Sequence, residues 1–125
     1  MSHHPRDMLA AFADGMQKLG ETNANVVNAF MGLVGENAKS GAIDAKTKEL
    51  ICVGIAVFAR CEYCIVYHVH AAYEAGATGK EIMEAGLVAV DFGGGPSMTY
   101  AATLLKDSIE EFANDFEARE LTDAD

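Results

Sequence analysis

The sequence predicts an all-α fold of about six helices, on three observations about periodicity and helix breakers. Pro occurs only at positions 5 and 96 of 125, so almost nothing interrupts a helix. Apolar residues recur at three- and four-residue spacing along most of the chain, as on a helix with one buried face. No stretch alternates apolar and polar residues in the manner of a strand.

The first helix spans roughly residues 6–20, with Met8, Leu9, Phe12, Met16 and Leu19 as its apolar stripe. Thr22 or Asn23 can cap a second, whose stripe is Val26, Val27, Phe30, Met31 and Val34 and whose end is marked by Ser40-Gly41. Both read as scaffold, their Met and Phe side chains serving core or interface rather than a cofactor. Asp44 is a good cap for a third helix, which carries Lys46, Lys48 and Glu49 before turning apolar on every side from Leu50 to Ala59. A helix apolar all round is expected to be covered all round, and in so short a chain a second subunit is expected to supply part of that cover.

Arg60 interrupts the apolar run, and residues 61–75 read as a fourth helix closed by Gly76. Thr78-x-x-Glu81 is a capping-box pattern that opens a fifth, through Ile82, Met83, Leu87, Val88 and Val90. Gly93-Gly94-Gly95-Pro96 is expected to stop it, Pro96 taking the first turn of a sixth helix with Met98, Ala101, Leu104, Leu105, Ile109, Phe112 and Phe116 on its apolar face. The glycine run has neither a preceding strand nor a following Lys-Ser/Thr, so it meets no nucleotide-binding pattern. One domain over 1–125 is expected, with its core over about 22–113 and an acidic tail over 114–125 that frays.

Nineteen acidic against nine basic residues give a formal net charge of −10, which repels phosphate backbones and anionic lipid headgroups. Neither a nucleic acid nor a membrane is therefore an expected partner. The longest apolar run, Leu50 to Ala59, is well short of the roughly 18 residues of a spanning helix, and the N-terminal residues lack the apolar core of a signal peptide. A cytoplasmic protein is expected. Three cysteines is an odd number in a chain large enough to fold without staples, which argues for thiols kept reduced at rest. Cys52, alone in the apolar run, reads as a buried, inert thiol.

The chemistry concentrates in Glu49-x11-Cys61-x2-Cys64-x3-His68. Residues three and four apart share a helix face, so Cys61, Cys64 and His68 form one stripe. The positive end of a helix favours a thiolate, and a neighbouring imidazole can take its proton; such surroundings bring a thiol from about 8.5 to roughly 3.5–7.5. Two cysteines at this spacing can close a disulfide, so one can attack a peroxide or disulfide while the other resolves the product. Glu49, from another helix, could hold the His68 ring in one tautomer. Competing readings are a zinc site, which His68 and His70 would have to complete although His70 lies off the stripe, and a purely structural pair of cysteines. A thioredoxin-type fold is set aside for want of strands.

From Asp44 to Leu105, and most tightly from Glu49 to Gly76 with Ala72 and Gly76 included, the chain resembles the alkylhydroperoxidase D-like group of the carboxymuconolactone decarboxylase superfamily. The resemblance implies an all-helical fold, trimers or hexamers, and thiol-dependent peroxidase or disulfide reductase activity without haem, flavin or metal. By it, Cys64 looks like the attacking thiol, Cys61 the more accessible resolving partner, and Glu49 with His68 the proton relay. The chain carries Tyr63 where the best-known peroxidases of the group often have histidine, which implies slower peroxide turnover. Its single-copy length, about half that of two-repeat members, implies that a hexamer supplies the missing contacts.

The leading expectation is an antioxidant oxidoreductase with a hydroperoxide or disulfide substrate, no cofactor, and a reducing protein dithiol as partner. Its rivals are a lactone decarboxylase using His68 and Glu49 for acid–base work, and a non-enzymatic zinc-binding or oligomeric module.

Overall fold

The computed structural model describes residues 4–116, and the ordered elements among them are all helical. Helix α1 (Pro5–Thr22) and α2 (Ala24–Ala38) form a hairpin with a single residue between them. Asn23 donates its backbone N–H to the Leu19 carbonyl at 2.8 Å and accepts from Val27 at 3.1 Å, ending one helix as it begins the next. Its side chain does not cap α2; it accepts from the Thr22 hydroxyl at 2.8 Å.

Helix α3 (Ala45–Ala59) starts as expected, the Asp44 carboxylate accepting the Thr47 N–H at 2.8 Å. It ends at Arg60, which takes a left-handed φ of 57°. The N–H groups of Arg60 and Cys61 return to the carbonyls of Val57 and Ala56, both at 3.1 Å, and satisfy two otherwise orphaned acceptors. This closure keeps Cys61 out of the following helix, so α4 is Glu62–Glu74 and Cys61 is its N-cap rather than part of its first turn. The same closure recurs at the far end of α4, where Gly76 supplies a φ of 103° that a side chain would disfavour.

Helix α5 (Gly79–Val88) opens with the complete capping box: Glu81 N–H donates to the Thr78 hydroxyl at 3.1 Å and Thr78 N–H to the Glu81 carboxylate at 2.9 Å. It stops earlier than expected. Helix α6 (Val90–Tyr100) begins after Ala89, and the glycine run bends it instead of ending α5. The Ala89 carbonyl already accepts the Gly93 N–H at 2.8 Å, which starts a new turn, and Gly94 alone leaves helical geometry, at φ 60° and ψ −136°. Pro96 lies in the first turn beyond the bend, where its missing N–H forfeits little. A π-helical stretch, Ala101–Leu105, joins α6 to α7 (Lys106–Ala113), and a 3-10 turn, Asn114–Phe116, follows.

That turn is tied down and not frayed: Arg6 reaches Asp115 at 3.1 Å and Glu111 at 2.7 Å and lies over the Phe112 ring. The rest of the expected acidic tail, 117–125, lies outside the described residues. No helix among the described residues is long and apolar enough to cross a membrane.

The core sits where α3 and α4 pack on each other and on α5 and α7. Val53 and Val57 meet Ile65, Val66, Val69 and Tyr73, with Ile82, Leu105 and Phe112 beyond. Burying each such side chain stabilises the fold by roughly 1.5–3 kcal/mol, and the same packing holds α3 and α4 rigidly together. The Tyr73 hydroxyl is satisfied in the core by the Ile109 carbonyl at 3.1 Å. Among the described residues of one chain, however, α3 is covered on one side only. Ile51, Ile55 and Phe58 are exposed beside Val88 and Phe92, the last 86% exposed, and together they border an open apolar groove of about 550 Å³. Helix α2 buries none of its residues.

Candidate functional site

Glu49 lies one turn into α3 and His68 midway along α4, and the packed core between the helices brings them together. Glu49 Oε1 and His68 Nδ1 are 2.7 Å apart, with side chains 14% and 23% exposed. An ionised carboxylate can only accept, so Nδ1 carries the proton and Nε2 of a neutral ring is left to act as a base. The expected support of the imidazole by Glu49 is therefore direct. Tyr67 packs edge-on to the imidazole with ring centroids 5.0 Å apart, and Phe12 packs edge-on to Tyr67 at 5.6 Å.

Cys61 and Cys64 are joined as a disulfide, with Cα atoms 5.2 Å apart. That separation is within the range of about 4.4–6.8 Å that a disulfide bridges. Cys61 occupies the N-cap of α4, and the first intrahelical bond runs from Ile65 N–H to the Cys61 carbonyl at 2.9 Å. The N–H groups of residues 62–64 thus have no intrahelical acceptor, and Cys64 lies at the positive end of the helix. Both sulfurs belong to half-buried residues, so exposure does not separate an accessible cysteine from a sheltered one.

Position relative to the adjoining cavity does separate them. A cavity of about 360 Å³ has Lys48, Glu49, Cys52, Cys64 and His68 in its wall, whereas Cys61 does not line it. Phe12, Phe30, Met31, Val34, Tyr63 and Tyr67 supply its apolar side. The stripe of α2, expected to serve core or interface, thus forms one flank of this chamber.

Cys52 departs from its expected role as a buried, inert thiol. It is only half buried, its thiol is free, and it faces the cavity. One donor atom each of Glu49, Cys52 and His68 lies within 4.8 Å of the others. Burial pushes the Cys52 thiol above its ordinary value, and the Glu49 carboxylate adds to the rise. A signal for this was present in the sequence: Glu49 and Cys52 are three residues apart and share one face of α3. His70, as expected, lies off the site and packs edge-on against Phe112 and Phe116.

Residues 24–107 match the model of the carboxymuconolactone decarboxylase family. A protein from the cox locus of Paracoccus denitrificans is 40% identical over 86 residues, covering 66% of this chain and 78% of that protein. Among solved structures, a carboxymuconolactone decarboxylase family protein from Legionella pneumophila is 34% identical with a TM-score of 0.83, over 90% of this chain and 99% of that one. A family member from Thermotoga maritima, for which an antioxidative role has been suggested, is 28% identical with a TM-score of 0.69, over 88% of this chain and 96% of that one.

Proposed function

This chain belongs to the carboxymuconolactone decarboxylase family, and on that footing we propose that it is a thiol-dependent peroxidase or disulfide oxidoreductase of the alkylhydroperoxidase D-like kind. The observation that carries the reading is the division of labour around the cavity. Cys64 and the Glu49–His68 pair share its wall, while Cys61 is bonded to Cys64 from outside it.

The cycle starts from the reduced pair. Nε2 of His68 takes the Cys64 proton, and the Glu49 carboxylate stabilises the imidazolium through Nδ1–H. The thiolate attacks the outer oxygen of a hydroperoxide; the O–O bond breaks, an S–O bond forms, and the imidazolium returns the proton to the leaving alkoxide as alcohol. Cys64 is then a sulfenic acid. Cys61 displaces its oxygen as water and forms the disulfide, which is the form of this structure. A protein dithiol supplies the two electrons that restore both thiols. The apolar flank from α1 and α2 suits the hydrocarbon part of an organic hydroperoxide. Such a cycle belongs in a compartment that keeps thiols reduced, the cytoplasm. The bare face of α3, α5 and α6 supports self-association into the trimer or hexamer of the family.

The test is stoichiometric peroxide added to the reduced protein. We expect one peroxide consumed per disulfide formed, with a loss of two hydrogens in the tryptic peptide of residues 61–80, which holds both cysteines. Peroxide consumption that persists after both are replaced by serine refutes the reading. The Glu49–His68 pair also suits the acid–base work of a lactone decarboxylase, and such a lyase would retain its full activity in that double variant.

A further inference from the structure

We propose that Glu49, Cys52 and His68 form a binding site for a divalent cation of zinc's class, with an open coordination position toward the cavity. The site shares only His68 with the zinc reading of the motif, which drew on Cys61, Cys64, His68 and His70; it neither uses the disulfide nor depends on the thiol cycle.

Three observations carry it. The first is convergence: one donor atom from each residue lies within 4.8 Å of the other two. Bonds of about 2.0–2.3 Å place the ligands of a tetrahedral ion roughly 3.3–3.8 Å apart, so side-chain rotations of about an ångström close the shell. The 2.7 Å contact between Glu49 and His68 opens by a little over half an ångström in the process. The second is rigidity. Glu49 and Cys52 stand on one face of α3 and His68 on α4, the two helices locked together by Val53, Val57, Ile65 and Val69.

The third is donor chemistry. A thiolate, an imidazole and a carboxylate suit zinc, whereas magnesium and calcium call for oxygen ligands throughout. All three residues are half buried and line the same chamber of about 360 Å³, which has room for water or a small ligand at the fourth position. On binding, a metal–sulfur bond forms and the Cys52 proton goes to solvent, as does the ring proton shared with Glu49 if Nδ1 is the ligating nitrogen. The two anions balance the charge of the ion. An ion held there withdraws His68 and Glu49 from proton transfer, so it inhibits peroxide reduction.

The experiment uses chelator-treated protein in its disulfide form, in which Cys52 is the free thiol. Titration with Co²⁺ should raise a thiolate-to-cobalt charge-transfer band that saturates at one ion per chain and is displaced by Zn²⁺. Cys52→Ser should abolish the band while keeping the helical circular dichroism of the parent. His68→Asn and Glu49→Gln should each weaken the apparent affinity by at least about 10-fold, the scale set by loss of even an outer-shell partner. A second measurement, needing no variant, is protection: saturating Zn²⁺ should slow iodoacetamide labelling of Cys52 in the tryptic peptide of residues 49–60. No charge-transfer band, a band that survives Cys52→Ser, affinity untouched by His68→Asn, or a Cys52 that labels equally fast with zinc overturns the proposal. No peroxide enters these measurements, so they stand or fall separately from the thiol cycle.

Discussion

Replacing Glu49 by Gln should move the two cysteines of the cavity wall in opposite directions. The substitution keeps size and one acceptor for Nδ1–H but removes the charge. A hydrogen bond to a charged partner contributes about 1.5–3 kcal/mol and a neutral one about 0.5–1.5, so the imidazolium loses on the order of 1–1.5 kcal/mol of support. With the side chains only 14% and 23% exposed, solvent replaces little of that loss. At 1.36 kcal/mol per tenfold, Cys64 labelling at neutral pH should fall roughly 5- to 10-fold, its profile moving to higher pH.

Cys52 responds with the other sign. Its thiol lies above its ordinary value through burial first and the Glu49 charge second. Glu49→Gln removes the second cause, so the Cys52 thiolate becomes easier to form and labelling speeds up, while burial keeps the profile above its ordinary position. The assay is iodoacetamide labelling against pH in a reduced Cys61→Ser background, read by mass spectrometry. Trypsin cuts after Lys48, Arg60 and Lys80, so residues 49–60 report Cys52 and residues 61–80 report Cys64. A local loosening would speed both cysteines. Acceleration of both, or an unchanged Cys64 profile beside a faster Cys52, would refute the role given to Glu49.

Cys64→Ser should abolish peroxide consumption, whereas Cys61→Ser should permit one oxidation per chain and no cycling; equal turnover in the two variants, measured with excess reductant, would contradict the assignment. Ile55→Glu places a charge in the bare groove of α3 and should reduce the light-scattering mass to that of one chain without loss of helicity. Thr78→Ala breaks the capping box of α5 and should cost about 1 kcal/mol, a melting-temperature drop of about 4 °C by calorimetry. The Glu81 carboxyl is held below its ordinary value of 4.5, by the Thr78 backbone bond first and the Lys46 bond second. Protons therefore bind the unfolded chain more readily: this contribution is fully present above about pH 4.5 and is lost as pH falls through the lower folded-state value. Glu81→Gln should flatten that part of the acid-unfolding curve, and an unchanged slope would remove Glu81 from the account.

Much of the site was legible along the chain because its parts are local. Cys61, Cys64 and His68 follow one another at helical spacing, and the caps at Asp44 and Thr78 satisfy N–H groups three residues away. Glu49 was legible as a partner for His68 only through the whole motif, since nothing local joins residues 19 apart. Cys52 was misread because an apolar run gives no sign of which face of a helix will be left against a cavity. The end of α5 was misplaced for a related reason: the glycine run breaks helical geometry at Gly94, within the stretch expected, but no glycine, proline or polar residue marks the earlier stop at Ala89.

The amino-acid order alone determined the helical class, most helix starts and stops, and the thiol pair with its base one turn on, because each is settled by residues within a turn or two of one another. Only the tertiary structure decided that Glu49 touches His68, that Cys64 and not Cys61 lines the cavity, that Cys52 joins them there, and that one face of α3 stays bare within a single chain. Those outcomes depend on which side of each helix the core packing of Val53, Val57, Ile65 and Val69 turns inward. Long-range packing sets that choice, and no stretch of a few residues encodes it.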